Sequence, residues 1–189
     1  MAKALFIIDV QNDFTEGGAL GVDGGAAVAQ GIATLLDEHG DDYDYVFASR
    51  DWHDGDSDNG GHFSDHPDFV DSWPVHCVAG TVGADYHPAI DAERVDVHVK
   101  KGQGRPAYSI FDGQAEDGSS VRAALDSLGV DSVDVVGIAT DYCVRASALD
   151  AVSAGLSTRV LVPYVAGVAA ESSAAALTEL AAAGVEVVR

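Results

Sequence analysis

The sequence is short of sulfur and of positive charge. Its 189 residues hold two cysteines, Cys77 and Cys143, too few for a disulfide framework. The two could pair, but a reducing compartment keeps such residues as thiols, and free thiols are the expectation. Ten lysines and arginines stand against 31 aspartates and glutamates, a formal net charge of -21. Phosphate binding needs basic patches, so nucleic acid and anionic membranes are excluded as partners. Lysine occurs only at Lys3, Lys100 and Lys101. So acidic a surface keeps a protein soluble, and a high-salt cytoplasm, with its short Debye length, would make the self-repulsion tolerable. Long apolar runs are missing too. The run "ALFII" is five residues long and ends at Asp9. Nothing approaches a membrane span or a cleavable leader, so a cytoplasmic location is expected. No repeat and no linker divides the chain, and 1–189 is expected to form a single domain.

What is present reads as alternating strands and helices. The hydrophobic fraction of 47% is ordinary, and 21 glycines point to tight turns and close helix–sheet packing. "KALFIIDV" is a continuous apolar run, as in a strand buried on both faces. "GGAAVAQGIATLLDEHG" has Val28, Ile32, Leu35 and Leu36 at helical spacing. Further strands are predicted in "YDYVFASRD", "RVDVHVKK", "SVDVVGIA", "STRVLVP" and "VEVV". Further helices are predicted in "GSSVRAALDSLG" with a serine N-cap, in "TDYCVRASALDAVSAG" closed by Gly155, and in "AESSAAALTELAAAG". This alternation argues for a parallel sheet covered on both faces. Residues 52–93 lack strong periodicity, and a compact domain seldom keeps so long an irregular stretch without a functional reason.

Sites on such sheets gather at the carboxyl ends of strands. Those ends carry Asp9, then Asp51 with His53, then Lys101, then Cys143. Thr140 is placed as the N-cap of the helix that begins with Cys143 in its first turn. A helix N-terminus lowers a thiol pKa and offers free N–H groups to an oxyanion, so Cys143 is either an activated nucleophile or a small buried core residue. Cys77, in irregular chain, is the weaker candidate. Asp9 ends the most apolar strand, and burial would raise its pKa and fit it to accept a proton. Alternation puts Val95, Val97, Val99 and Lys101 on one face, where a buried ammonium needs an anion; the alternative is a strand that has already ended. Asp51, His53, His62, His66 and His76 offer imidazole and carboxylate ligands suited to zinc, iron or manganese, or else are scattered residues of an acidic loop. Phe14 and Trp73 would make an aromatic wall, or fill the core.

The stretches "IIDVQNDFTEGGAL", "SRDWH", "GHFSDHPDF", "SWPVHCVAGTVGADYHP", "KGQGRPAYSIFDG" and "VDVVGIATDYCVRASALDA" together resemble the nicotinamidase/pyrazinamidase branch of the isochorismatase-like cysteine hydrolases. The similarity runs in order from about Ala4 to Val188. It implies a three-layer α/β/α fold with a six-stranded parallel sheet. It implies Asp9, Lys101 and Cys143 as catalytic residues, with the Ala139 and Cys143 N–H groups as the oxyanion hole. It implies a divalent metal ion held by Asp51, His53, His62 and His76, leaving His66 outside, and a pocket lined by Phe14, Trp73, Tyr108, Ile138 and Ala139. It implies a cis peptide between Ile138 and Ala139. The implied reaction, in NAD salvage, is hydrolysis of nicotinamide through a cysteine thioester, with the metal binding the pyridine nitrogen and pyrazinamide as a second substrate. Tyr142 stands where relatives carry His or Tyr, and no role is assigned to it. The implied partner is the small-molecule substrate, with a homo-oligomer left open. Rival readings are a metal-free amide hydrolase or isochorismatase, a metallohydrolase with a metal-activated water, and a non-enzymatic metal-binding or redox protein.

Overall fold

A computed structural model describes residues 2–189. Strand β1 (Ala2–Ile8) lies at the centre of the sheet, and its apolar run has a simple cause. Successive side chains point to opposite faces. Leu5 and Ile7 join one core, and Ala4, Phe6 and Ile8 join the other. On one side lie β2 (Tyr45–Asp51) and β3 (Val97–Lys101); on the other lie β5 (Val130–Ile138), β6 (Ser157–Ala166) and β7 (Glu186–Val188). These six strands are parallel, as expected. A seventh, β4 (Gln114–Ala115), adds two antiparallel residues outside β3. It is too short to leave an alternation signal, so the six-stranded expectation is corrected to seven.

Helix α1 (Gly25–His39) covers one face with Val28, Ile32, Leu35 and Leu36. Helices α2 (Val121–Leu128), α3 (Arg145–Ser153) and α4 (Ala170–Ala182) supply Leu125, Ala148 and Leu180 to the other. The result is the expected three-layer α/β/α arrangement. Ser120 caps α2 by accepting from the Ala123 N–H at 3.2 Å. Thr140 does not cap the helix after β5. The chain first makes a π-helical turn over Thr140–Val144, and Ala139 is the capping residue. Thr140 is thus already inside the turn, where it is buried. Residues 52–93 hold isolated bridges and short 3-10 turns at Val82–Ala84 and Ala92–Arg94, in keeping with their lack of periodicity. Among the described residues no helix is long and apolar enough to cross a membrane.

Candidate active site

Strands β1, β2, β3 and β5 are neighbours and point the same way, so their carboxyl ends meet. Lys101, the last residue of β3, is fully buried there. Its Nζ lies 2.9 Å from Asp9 Oδ2, pairs with Asp51 Oδ1, donates to the Ala107 carbonyl at 3.2 Å and sits 3.8 Å from Cys143 Sγ. Burial alone would discharge this ammonium, but the Asp51 and Asp9 carboxylates outweigh it and hold the lysine pKa well above its usual value. Burial raises Asp9, and the Asp51 charge adds to this while Lys101 opposes it. The Ser49 hydroxyl donates to Asp9 Oδ1 at 2.7 Å, which leaves Oδ2 to Lys101 and the thiol.

The helix terminus does not bring the Cys143 pKa down. Cys143 is buried, and burial pushes its thiol well above the ordinary value. The Lys101 charge opposes this, but the Asp9 and Asp51 charges and hydrogen bonding to Asp9 favour the protonated form. The thiol therefore rests protonated beside a carboxylate with a raised pKa. Cys77 is also a free thiol; it is buried, and its own N–H donates to Asp13 Oδ2 at 2.7 Å.

Next to this group the ring nitrogens of His53, His62 and His76 lie within 4.8 Å of one another. Asp51 Oδ2 lies 3.6 Å from His53 Nε2 and 3.8 Å from His76 Nε2. The Gly102 carbonyl accepts from His53 Nδ1 at 2.8 Å, and the Pro74 carbonyl accepts from His76 Nδ1 at 2.7 Å. Each bond fixes the proton on Nδ1 and turns the Nε2 lone pair inward. His53 Nε2 and both nitrogens of His62 are buried without a hydrogen-bond partner. Burial, reinforced by its histidine neighbours, lowers His62 to about 4, so its imidazole is neutral at pH 7. Burial works against ionisation of Asp51, yet the Lys101 charge and His53 hold its carboxyl well below the usual range. An ionised carboxylate beside imidazole nitrogens left without partners fits a divalent cation. His66 is exposed and stands apart.

A cavity of about 40 Å³ joins the two groups. Phe14, Trp73, Tyr108, Tyr142, Ala139 and Cys143 line it. Trp73 Nε1 donates to the Tyr108 hydroxyl at 3.1 Å, and the Trp73 and Tyr142 rings meet edge to face at 5.0 Å. Ile138 differs from the expectation. Its side chain is buried in the core under α1, where the space over Gly25 closes to 3.3 Å, and it does not line the cavity. The Ile138–Ala139 peptide is cis, as the resemblance implies.

Sequence reasoning missed several residues that hold the site. Gln11 clamps the Asp51 backbone, accepting from its N–H at 2.8 Å and donating to its carbonyl at 2.9 Å. Gly102 has φ 87°, and a Cβ there would lie 2.5 Å from His53 Cε1. Ser49 and Tyr142 complete the set. Only Ser49 carried a legible signal, since alternation along β2 puts it on the face of Asp51.

The isochorismatase domain family profile matches residues 3–189. The nicotinamidase/pyrazinamidase of Mycobacterium tuberculosis is 52% identical over 186 residues, 98% of each chain. The pyrazinamidase of Pyrococcus horikoshii, solved in complex with zinc, superposes with a TM-score of 0.85 at 31% identity, covering 100% of this chain and 99% of that one. PnC1 from L. infantum, in complex with nicotinate, superposes with a TM-score of 0.85 at 33% identity, covering 100% and 92%.

Proposed function

The chain belongs to the isochorismatase family, and we propose that it is a nicotinamidase, hydrolysing nicotinamide to nicotinate and ammonia and acting also on pyrazinamide. One observation carries the reading: Cys143, Asp9 and Lys101 meet on one wall of an aromatic cavity whose other wall is the Asp51, His53, His62 and His76 cluster. The Mycobacterium tuberculosis relative and the nicotinate and zinc complexes of its structural neighbours support it.

Asp51, His53, His62 and His76 would hold a divalent ion, zinc, iron or manganese. When bound, it supplies a Lewis-acidic anchor for the ring nitrogen of the substrate. Phe14, Trp73 and Tyr108 give the flat ring its walls. The high Cys143 pKa means that the thiol is not ionised in advance, so Asp9 takes its proton as the sulfur attacks the carboxamide carbon. Lys101, 3.8 Å from Sγ, stabilises the charge that develops on sulfur. The Ala139 and Cys143 N–H groups, at the start of the π-helical turn, receive the oxyanion. Asp9 then passes its proton to the departing ammonia. It next takes a proton from the water that cleaves the thioester and returns it to Cys143.

The test is ammonia release from nicotinamide and pyrazinamide by the metal-loaded protein and by Cys143→Ala. The wild type is expected to release ammonia from both, and the variant to lose turnover with its metal content unchanged. No ammonia from nicotinamide would overturn the reading. A Cys143→Ala rate above about a tenth of wild type would favour a metal-activated water instead.

A further inference from the structure

The segment between His53 and His62 is acidic, and Asp54, Gly55, Asp56, Ser57 and Asp58 all face solvent. Asn59 breaks the pattern: it is fully buried, and its backbone is left-handed with φ 49°. Few non-glycine residues adopt that conformation, and asparagine tolerates it best. Its amide uses its whole hydrogen-bonding capacity. Oδ1 accepts from the N–H groups of Asp54 (2.9 Å) and Gly104 (3.2 Å). Nδ2 donates to the carbonyls of Asp54 (2.9 Å) and Ser57 (3.3 Å). The Asn59 carbonyl accepts from the His62 N–H at 3.4 Å.

These partners have one thing in common. Asp54 follows His53, the Asn59 carbonyl begins the turn into His62, and Gly104 lies two residues past the Gly102 carbonyl that fixes the His53 ring. Gly60 seats the loop on the same segment, since a Cβ there would come within 3.4 Å of the Gly104 carbonyl oxygen. None of these hydrogen bonds reaches a strand of the sheet or an α-helix. Buried imidazole nitrogens without partners favour any movement that hydrates them, so a loop carrying two such rings needs a brace.

We propose that Asn59 is a positioning residue for the metal centre, a buried amide that locks the His53–His62 loop to the Gly102–Gly104 backbone so that the ring nitrogens converge on one cation. The inference rests on the reading of Asp51, His53, His62 and His76 as that cation's ligands. Residues that orient metal ligands typically change affinity by about 10- to 100-fold when removed.

The experiment is zinc affinity, measured by competition with a chromophoric chelator, for the wild type, Asn59→Ala and Asn59→Gly. Glycine keeps the left-handed backbone free of strain and removes only the amide, so it separates the hydrogen bonds from the conformation. Both variants are expected to bind zinc about 10- to 100-fold more weakly. The zinc-free variants should keep the wild-type circular dichroism spectrum, because none of the partners lies in a strand or a helix. Zinc affinity of Asn59→Gly within about twofold of wild type would overturn the inference, whatever its melting temperature. If the wild type itself fails to bind zinc, the ligand set is wrong and the inference falls with it. Turnover of nicotinamide enters neither outcome.

Discussion

Lys101 is a cation with two carboxylates and a thiol around it, and this sets where protons rest. The lysine stays charged, Asp51 stays ionised, and Asp9 and Cys143 are both pushed toward their protonated forms. The Asp9 charge is one reason the thiol is hard to ionise, although Asp9 is also the group placed to take its proton. The two effects separate in Asp9→Asn. Removing an anion next to the sulfur lowers the thiol pKa, so iodoacetamide should label Cys143 severalfold faster at pH 7 than in the wild type. Turnover should vanish, because the proton has no acceptor. Peptide mapping distinguishes Cys143 from Cys77, and slower Cys143 labelling in the variant would contradict this electrostatic account. Asp9, Asp51, Lys101 and Cys143 were legible in the sequence because each stands where an apolar run stops. Gln11 and Gly102 were not, because one works through backbone groups of a distant strand and the other through a side chain it lacks.

Helices α1 and α4 begin without a cap of their own. Carboxylates from elsewhere in the chain do the work. Glu16 accepts from the Gly24 and Ala26 N–H groups at 2.7 and 2.8 Å. Asp141 accepts from the N–H groups of Val168 (3.0 Å) and Ala169 (3.2 Å) and from the Ser172 hydroxyl (2.5 Å). Asp141 therefore ties the turn that carries Cys143 to the start of α4, and holds Val168 at the cavity mouth. Asp141→Ala should cost about 2 kcal/mol through the three hydrogen bonds lost at the start of α4. At this chain length that is roughly 4–8 °C in melting temperature. Activity should fall as well, since the turn loses its outer anchor, and an unchanged melting temperature would remove Asp141 from this role. The elements other than β4 were readable, since runs such as "KALFIIDV" and the spacing of Val28, Ile32, Leu35 and Leu36 state their burial directly. The serine cap of α2 was readable as well, but the starts of α1 and α4 were not, because cap rules look only at neighbouring residues. Here the caps come from eight and 28 positions away, and Thr140 was given a place that Ala139 takes.

Across the whole molecule, buried charge is balanced and surface charge is not. Lys101 is fully buried against Asp9 and Asp51. Lys3 and Arg159 both pair with the buried Asp134, which also accepts from the Tyr43 hydroxyl at 2.9 Å. Two of the three lysines thus neutralise interior carboxylates, which leaves Lys100 as the third. Much of the rest of the acidic charge lies at the surface, on helices and on loops such as the exposed run after His53. Like charges at that density repel and destabilise the compact state in dilute buffer. Screening shortens the reach of that repulsion from about 10 Å at 0.1 M salt to about 3 Å at 1 M. The melting temperature should therefore climb with KCl from low to molar concentration, with each kcal/mol gained appearing as roughly 2–4 °C. If screening is the cause, most of the gain comes below 1 M, where the Debye length changes fastest. The buried ion pairs should contribute little to it, because buried charges are screened far less than exposed ones. A thermal unfolding series in KCl checks both points. A flat curve from low to molar salt would mean that the acidic surface carries no repulsion worth relieving.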